Sequence, residues 1–237
     1  MQNESFAKSD ILEEFMRTLR FLVSCLVVFI GSLLASAQIV QQKGGYLINV
    51  KYTKGEVLRQ DMGMRLVGDT RRPSTSQVVT KCLGVDKNGL ASLEVTVPSV
   101  GKTPAVKKQI KVDRHGKPLG ATIEGYSGTF VWPESPIKMG KPWIGDMSMA
   151  APTKGGMSMK STYKLVGIKT INGVKVAVIS SVMNVSGNYN IAGAGTLYVR
   201  FSDGQLHSAE FNLALDKYSA TGAPGKLKVV MTIRTLP

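Results

Sequence analysis

The sequence predicts an all-β protein, an antiparallel meander that forms a curved sheet pair, a flattened barrel or a clam-like sandwich. Apolar and polar residues alternate with a period of two along most of the chain beyond residue 40, which is typical of strands with one dry and one wet face. Asn-Gly and Asp-Gly pairs separate these runs at 88–89, 172–173 and 203–204, and they supply the positive φ angles of tight hairpins. Sustained helical periodicity is missing beyond residue 37.

The first element is a leader at residues 16–37, MRTLRFLVSCLVVFIGSLLASA. Arg17 and Arg20 form a positive head, Phe21 to Leu34 form an apolar run, and small residues precede Gln38. This order predicts a signal-peptide helix that is cleaved after Ala37, so that the protein is exported to the periplasm or the extracellular space. The apolar run is shorter than the roughly 20 residues of a membrane-spanning helix, which favours cleavage over anchoring.

Residues 1–15 do not suit export, because they carry four acidic residues and one lysine. We therefore expect Met16 to be the true start and residues 1–15 to be a mis-called extension. The run from Leu22 to Cys25 matches a lipobox. Lipidation of Cys25 is not expected, because only a short apolar segment separates it from Arg20 and the apolar run continues beyond it.

The remaining residues, 38–237, are predicted to form a single all-β domain of roughly a dozen strands. Apolar residues of its alternating runs share faces as follows: Tyr46, Ile48, Val50 and Tyr52; Leu93, Val95 and Val97; Leu197, Val199 and Phe201; Ala209, Phe211, Leu213 and Leu215; and Leu227, Val229, Met231 and Ile233. The other faces carry mostly polar and charged residues.

The domain has the pattern of an internal duplication, with half-repeats at 45–131 and 146–237. Each half contains two strand–turn–strand units in the same order, and the matching segments are 81–101 with 164–187 and 109–124 with 196–211. A meander with glycine turns would look alike without duplication, so both interpretations stay open. Duplication would give two similar curved sheets that close on each other.

A crossover is predicted between the halves, at residues 132–145. Pro133, Pro136 and Pro142 lie within it, and proline cannot donate a ladder hydrogen bond. The segment from Pro133 to Trp143, P-E-S-P-I-K-M-G-K-P-W, resembles a P-x-x-P-V-K-x-G-D-x-W signature of uncharacterised exported bacterial β-proteins. It departs from that signature at Lys141, where an acidic residue would stand. The resemblance implies an exported β-protein and is silent on activity.

Net charge favours anionic partners. The chain has a formal net charge of +14, and residues 1–37 contribute none of that excess. An anionic envelope polymer or a membrane surface is the expected class of partner, and a soluble surface that happens to be basic is the alternative. Nucleic acid is not expected, because aromatic residues are not interleaved with the basic ones.

Methionines give the sharpest candidate for metal binding. Met147, Met149, Met157 and Met159 flank the segment AAPTKGG. In a hairpin centred near Thr153, Met147 would pair with Met159 and Met149 with Met157. Four thioethers on one face would suit Cu(I), and the other interpretation is an apolar core or lining.

Catalysis finds little support. Only His115 and His207 could serve a triad, and there is no Gly-x-Ser-x-Gly motif. Two Ser-x-x-Lys matches, at 135–138 and 161–164, lack the companion motifs of penicillin-recognising enzymes. His115 lies in a predicted turn and is expected to be solvated. Cys82, the one cysteine beyond the leader, is expected to be a buried small hydrophobe. We predict no catalytic residues and no cofactor.

Together these observations predict an exported, non-enzymatic protein of the cell envelope that binds an apolar small molecule or lipid, or docks on an anionic surface. A periplasmic Cu(I)-binding protein that uses the methionine hairpin is the alternative. The candidate ligand-lining residues are Met62, Met64, Met147, Met149, Met157, Met159, Trp132 and Trp143. The two tryptophans have a second interpretation as side chains that pin the crossover to the core.

Overall fold

The computed structural model describes residues 36–68, 70, 73–97, 105–119, 132–149, 157–186, 190–202, 204–216 and 226–236. Every regular element in these ranges is a strand, so the predicted all-β class is confirmed. Residues 1–35, which include most of the predicted leader, lie outside the described residues, and its last two residues, Ser36 and Ala37, begin the first strand rather than a helix. The strands are β1 (Ser36–Gln42), β2 (Gly45–Lys51), β3 (Val57–Leu66), β4 (Ser74–Val85), β5 (Ala91–Val97), β6 (Val106–Val112), β7 (Pro118–Leu119), β8 (Pro142–Met149), β9 (Met157–Ile171), β10 (Val174–Ser186), β11 (Asn190–Arg200), β12 (Leu206–Asp216) and β13 (Lys226–Thr235).

One large antiparallel sheet contains eleven of these strands, in the order β7-β6-β5-β4-β3-β13-β12-β11-β10-β9-β8. It consists of two meanders, β3 to β7 and β8 to β13, that meet where β13 pairs with β3. The predicted halves therefore share one continuous sheet rather than forming two. Its outer strands, β7 and β8, do not pair with each other in the described part of the chain, so the flattened barrel is not the form that this sheet takes.

A separate hairpin, β1–β2, is tied to the segment between the two meanders. Tyr46 and Ile137 exchange two backbone hydrogen bonds of 2.9 and 2.8 Å. Ile39, Ile48 and Ile137 are buried in a core that they share with one face of the large sheet. The hairpin and the crossover therefore cover part of that face.

The crossover is shorter than the sequence predicted. The last four residues of the predicted crossover, 142–145, form the first half of β8. Strand β8 is the last strand of the sheet, and Pro142 is its first residue. A proline is tolerated at such a position because its missing N–H interrupts no inner ladder.

Glycine turns connect the strands as predicted. Gly89 and Gly173 have φ angles of 78° and 80° in the β4–β5 and β9–β10 turns. Asn172 has a φ of 48°, so both central residues of that turn are left-handed, as a type I′ hairpin requires.

The core lies on one face of the large sheet, which we call the inner face. Every described member of the apolar faces predicted from the sequence is buried or partly buried there. Cys82 is also buried, with 4% of its surface exposed, as predicted. The period-two alternation thus identified the buried face correctly along both meanders.

Trp132 contacts both edges of the large sheet. Its backbone N–H donates to the carbonyl oxygen of His115 in the β6–β7 turn, at 3.1 Å. Its ring centroid lies 6.5 Å from that of Trp143 on β8. Because Trp132 is only 1% exposed, it packs the crossover onto the core, and the sheet must curve to bring both ends to it.

His115 corrects one expectation. The sequence predicted a solvated histidine in a turn, but His115 is only 7% exposed. The crossover covers it at Trp132, and its Nε2 accepts a hydrogen bond from Arg114 Nε at 3.1 Å. The burial comes from this long-range packing, which local turn chemistry does not reveal.

Candidate functional site

Strand β11 carries an unusual run of small residues, Ala192, Gly193, Ala194 and Gly195, after Ile191. Successive residues of a strand point to opposite faces of the sheet. The exposures follow that rule, because Ile191 and Leu197 are buried while Ala192 and Ala194 are exposed. The two glycines therefore belong to the inner face, and the two alanines belong to the opposite face, which we call the outer face.

On the inner face the space above the glycines is filled. A Cβ atom at Gly195 would lie 2.2 Å from Phe211 Cδ1, and one at Gly193 would lie 2.5 Å from Leu213 Cδ2. The larger neighbours on β12 lean over the glycines because no side chain stands in their way. Glycine at these positions is a requirement of core packing.

On the outer face the alanines leave a groove. Two rows of paired residues cross the strands there. One row runs from Val182 to Ala194 and Asn212, and the other runs from Asn184 to Ala192, Ala214 and Lys228. Alanines occupy the middle of both rows and larger residues occupy the ends, so the centre of the groove is low and its rim is high.

The groove has a volume of about 460 Å³. It crosses four strands, β10 to β13, and is two residues tall along each strand. Its lining residues are Val67, Val182, Met183, Asn184, Ala192, Gly193, Ala194, Asn212, Leu213, Ala214, Lys228 and Val229. At about 4.8 Å between strands and 3.3 Å per residue, the groove is about twice as long across the strands as along them.

Exposed valines form part of the rim. Val182 on β10 is 53% exposed and Val67, just after β3, is 57% exposed. The backbone N–H of Val67 donates to the carbonyl oxygen of Lys228 at 2.9 Å, which continues the ladder past the end of β3. This bond holds Val67 beside Lys228 at the β13 end of the groove.

Positive charge surrounds this part of the outer face. Lys228 lines the groove itself. Arg65 pairs with Val230 beside it, and Lys160 pairs with Asn184 on the far side; both of these side chains are exposed. The region therefore combines an apolar floor with a basic rim.

The predicted ligand-lining residues lie elsewhere. Met62, Met64 and Trp132 are 2%, 6% and 1% exposed, and they pack in the core of the inner face. Trp143 is partly buried against that core, and its ring stacks on Tyr163 with centroids 5.7 Å apart. Met62 and Met64 lie on β3, which is five strand positions away from β9, the strand of Met157 and Met159, in the sheet order. A ligand-lining role for these residues stays a prediction.

The methionine hairpin has the register that the sequence predicted. Met147 pairs with Met159, and Met149 pairs with Met157, across β8 and β9. Groups of three or more His, Cys, Asp and Glu residues that could hold a metal ion are absent from the described ranges. The register places the four methionines in two facing pairs, and metal binding there stays a prediction.

A hydroxyl cluster lies on the inner face beside Trp143. Burial is the main reason that the pKa of Tyr163 is raised well above its ordinary value of 10, and neighbouring Ser161 and Ser181 partly oppose that rise. Tyr163 and Ser181 are paired residues of β9 and β10, and all three residues are about 1% exposed. The cluster is closed to solvent and belongs to the core.

A polar chain of contacts joins the two meanders away from the groove. Gln205 Nε2 donates to Glu56 Oε1 at 2.6 Å, and Arg200 donates to the side-chain oxygen of Gln205. Gln205 is buried and lies before β12, whereas Glu56 precedes β3. These bonds satisfy buried polar atoms, so we assign them a structural role.

The groove is not among the sites predicted from the sequence. The sequence signal for such a groove is the alternation of alanine and glycine in a segment that otherwise has strand character. One face of such a strand carries only methyl groups, and the other face carries no side chains. Whether the space above each face is filled or open depends on residues of β10, β12 and β13, which are distant in sequence.

Protein-family models and curated proteins do not match this sequence. Among solved structures, the hypothetical lipoprotein YmcC from Escherichia coli K12 is similar over 73% of this chain and 85% of that chain, with 15% identity and a TM-score of 0.31. The LolA superfamily protein NE2245 from Nitrosomonas europaea is similar over 90% of this chain and 91% of that chain, with 8% identity and a TM-score of 0.27. At these TM-scores we draw neither family nor function from them.

Within the described residues, no helix is long and apolar enough to span a membrane.

Proposed function

We propose that this chain is an exported, non-enzymatic protein of the cell envelope that binds an apolar chain, such as the acyl chain of a lipid, in the outer-face groove. The leader at residues 16–37 supports export. The groove is the observation that carries the binding proposal, because it joins a suitable volume to an apolar floor.

The size and shape of the groove suit a chain-like ligand. Its volume of about 460 Å³ lies within the roughly 300–1,000 Å³ of small-molecule sites. It is elongated across β10 to β13, so an extended chain fits it better than a broad ring system does. The alanine floor and the rim valines supply apolar contacts, and burial of each CH₂ group contributes about 0.8 kcal/mol.

Titration of the protein with dodecanol, followed by backbone amide NMR, tests the proposal. Dodecanol carries a twelve-carbon chain and no charge. We expect saturable shifts of the amides of Ala192, Ala194 and Asn212. Shifts that cluster instead around Met62 and Met64, or no saturable shifts at all, would overturn it.

The Ala194→Leu variant sharpens the test. The added side chain would occupy the floor of the groove, so we expect at least a tenfold loss of dodecanol affinity. Thr75→Leu is the matched control, because Thr75 is an exposed strand position on β4 and does not line the groove. Equal effects of the two variants would contradict binding in the groove.

The register of the methionine hairpin favours a second candidate, a Cu(I)-binding protein. Its test is an anaerobic Cu(I) titration of the parent chain and of the Met147→Ala/Met159→Ala double variant. A large loss of affinity in the variant is expected for a thioether site. Unchanged Cu(I) affinity would eliminate that site.

A further inference from the structure

We infer that the ligand of the groove is an amphiphile with an anionic head group, and that Lys228 binds this head group at the β13 end. The inference rests on the proposed function, because it names the class of molecule whose chain lies in the groove. It follows from the position of one lysine relative to the apolar floor.

Lys228 is the lining residue with a full positive charge. It pairs with Ala214, so its Cα lies beside the floor, and its side chain is exposed. Val67 fixes the local backbone through its hydrogen bond to the Lys228 carbonyl. A chain that occupies the alanine floor and ends near β13 would therefore place its head group within reach of the ammonium group.

A second basic residue also makes the β13 end of the groove positive. Arg65, one row away, adds a second positive charge at the same end. On β12, Asp216 pairs with Lys226, and the exposed Glu210 pairs with Thr232. Thr232 lies four residues from Lys228, or about 13 Å along the strand. Glu210 therefore does not neutralise Lys228.

The far end of the same row supplies a control. Lys160 pairs with Asn184, whose residue row continues through Ala192 and Ala214 to Lys228. Lys160 is also exposed on the outer face, yet it does not line the groove. Neutralising either lysine removes one positive charge from this face, but only Lys228 adjoins the apolar floor.

The test compares three ligands of equal chain length, namely dodecanoate, dodecyl phosphate and dodecanol. Affinities are measured at pH 7 by amide shifts in the parent chain, below the micelle-forming concentrations of the two anions and below the solubility limit of dodecanol. We expect the anionic ligands to bind about fivefold more tightly than dodecanol, which is the upper range for a solvent-exposed ion pair. The tighter of the two anions identifies a carboxylate or a phosphate head group.

Two variants assign the effect. Lys228→Gln is expected to abolish the preference for anionic ligands, measured as the ratio of anion to dodecanol affinity within that variant, whereas Lys160→Gln is expected to preserve the preference. Equal affinities for all three ligands in the parent chain would overturn the inference and leave the proposed function intact. Equal losses in both variants would also overturn it, because the preference would then reflect overall charge. Failure of all three ligands to bind would overturn the proposed function itself.

Discussion

The two faces of β11 place the same kind of residue in opposite situations. On the inner face, Gly193 and Gly195 are covered by Leu213 and Phe211, which occupy the space where a side chain would stand. On the outer face, Ala192 and Ala194 are exposed and line an open groove. Small residues thus tighten the packing on one side of the strand and create space on the other.

The difference shows that residue size alone does not define a site. Neighbours on β12 decide the outcome, because Phe211 and Leu213 point to the inner face while Asn212 and Ala214 point to the outer face. A substitution on β11 should therefore change stability on the inner face and binding on the outer face.

The strongest test of the inner face is Gly195→Ala. Its Cβ would lie 2.2 Å from Phe211 Cδ1 and 2.5 Å from the backbone oxygen of Glu210, and the backbone cannot yield cheaply. We expect a loss of about 3 kcal/mol in the free energy of unfolding, at the upper end of overpacking effects, measured by urea denaturation.

Gly167→Ala is the control for that variant, because a Cβ at Gly167 would meet nothing within 4 Å. Its free energy of unfolding should stay within about 0.5 kcal/mol of the parent chain. If the two variants were equally stable, the packing account of the inner face would be wrong.

Alkaline pH tests the inner face through Tyr163. Burial raises its pKa above the ordinary value of 10, so above pH 10 the unfolded chain loses its proton while the native chain keeps it. The free energy of unfolding should then fall by about 1.4 kcal/mol per pH unit for this group, and be unaffected by it below pH 9.

Urea denaturation between pH 9 and pH 11 measures that slope. Tyr163→Phe should make the slope shallower by about 1.4 kcal/mol per pH unit. This change is independent of any effect of the variant on the free energy of unfolding at pH 7. Tyr52, whose pKa is raised by burial and then by Asp113 and Cys82, should contribute a similar slope that persists in the variant. An unchanged slope in Tyr163→Phe would contradict the burial of its hydroxyl.

A smaller effect is expected for Gly193→Ala. Its Cβ would meet Leu213 Cδ2 at 2.5 Å and Met183 Cγ at 3.2 Å, and both are side-chain atoms that can shift. We expect a loss of about 1.5 kcal/mol in the free energy of unfolding. A double-mutant cycle with Leu213→Ala should show favourable coupling of about 1 kcal/mol, and additive effects would argue against this contact.

The smallest stability effect is expected on the outer face. Ala194→Leu should change the free energy of unfolding by no more than about 0.5 kcal/mol, although it should abolish most of the dodecanol binding. If the thermal or urea unfolding curve of this variant matched that of Gly195→Ala, the claim that the two faces differ in packing would be wrong.

Much of the fold was predictable because its signals are local. Alternation identified the buried sides of Leu93, Val95, Leu197 and Val199, and glycine pairs identified the turns. The groove was not predicted, nor was the burial of His115 or the strand position of Pro142. Each of these depends on which distant segment lies alongside, and alternation carries no information on that choice.

By itself, the sequence determined the all-β class, the inward side of the clearly alternating strands and the positions of several turns, because backbone geometry couples these properties to residues only a few positions apart. Tertiary structure alone decided that β13 pairs with β3 and that the two meanders form one sheet. It also decided that Ala192 and Ala194 line a groove beside Lys228. The physical reason is that strand pairing brings together side chains from β10 to β13, and open space on a surface is a property of that whole set.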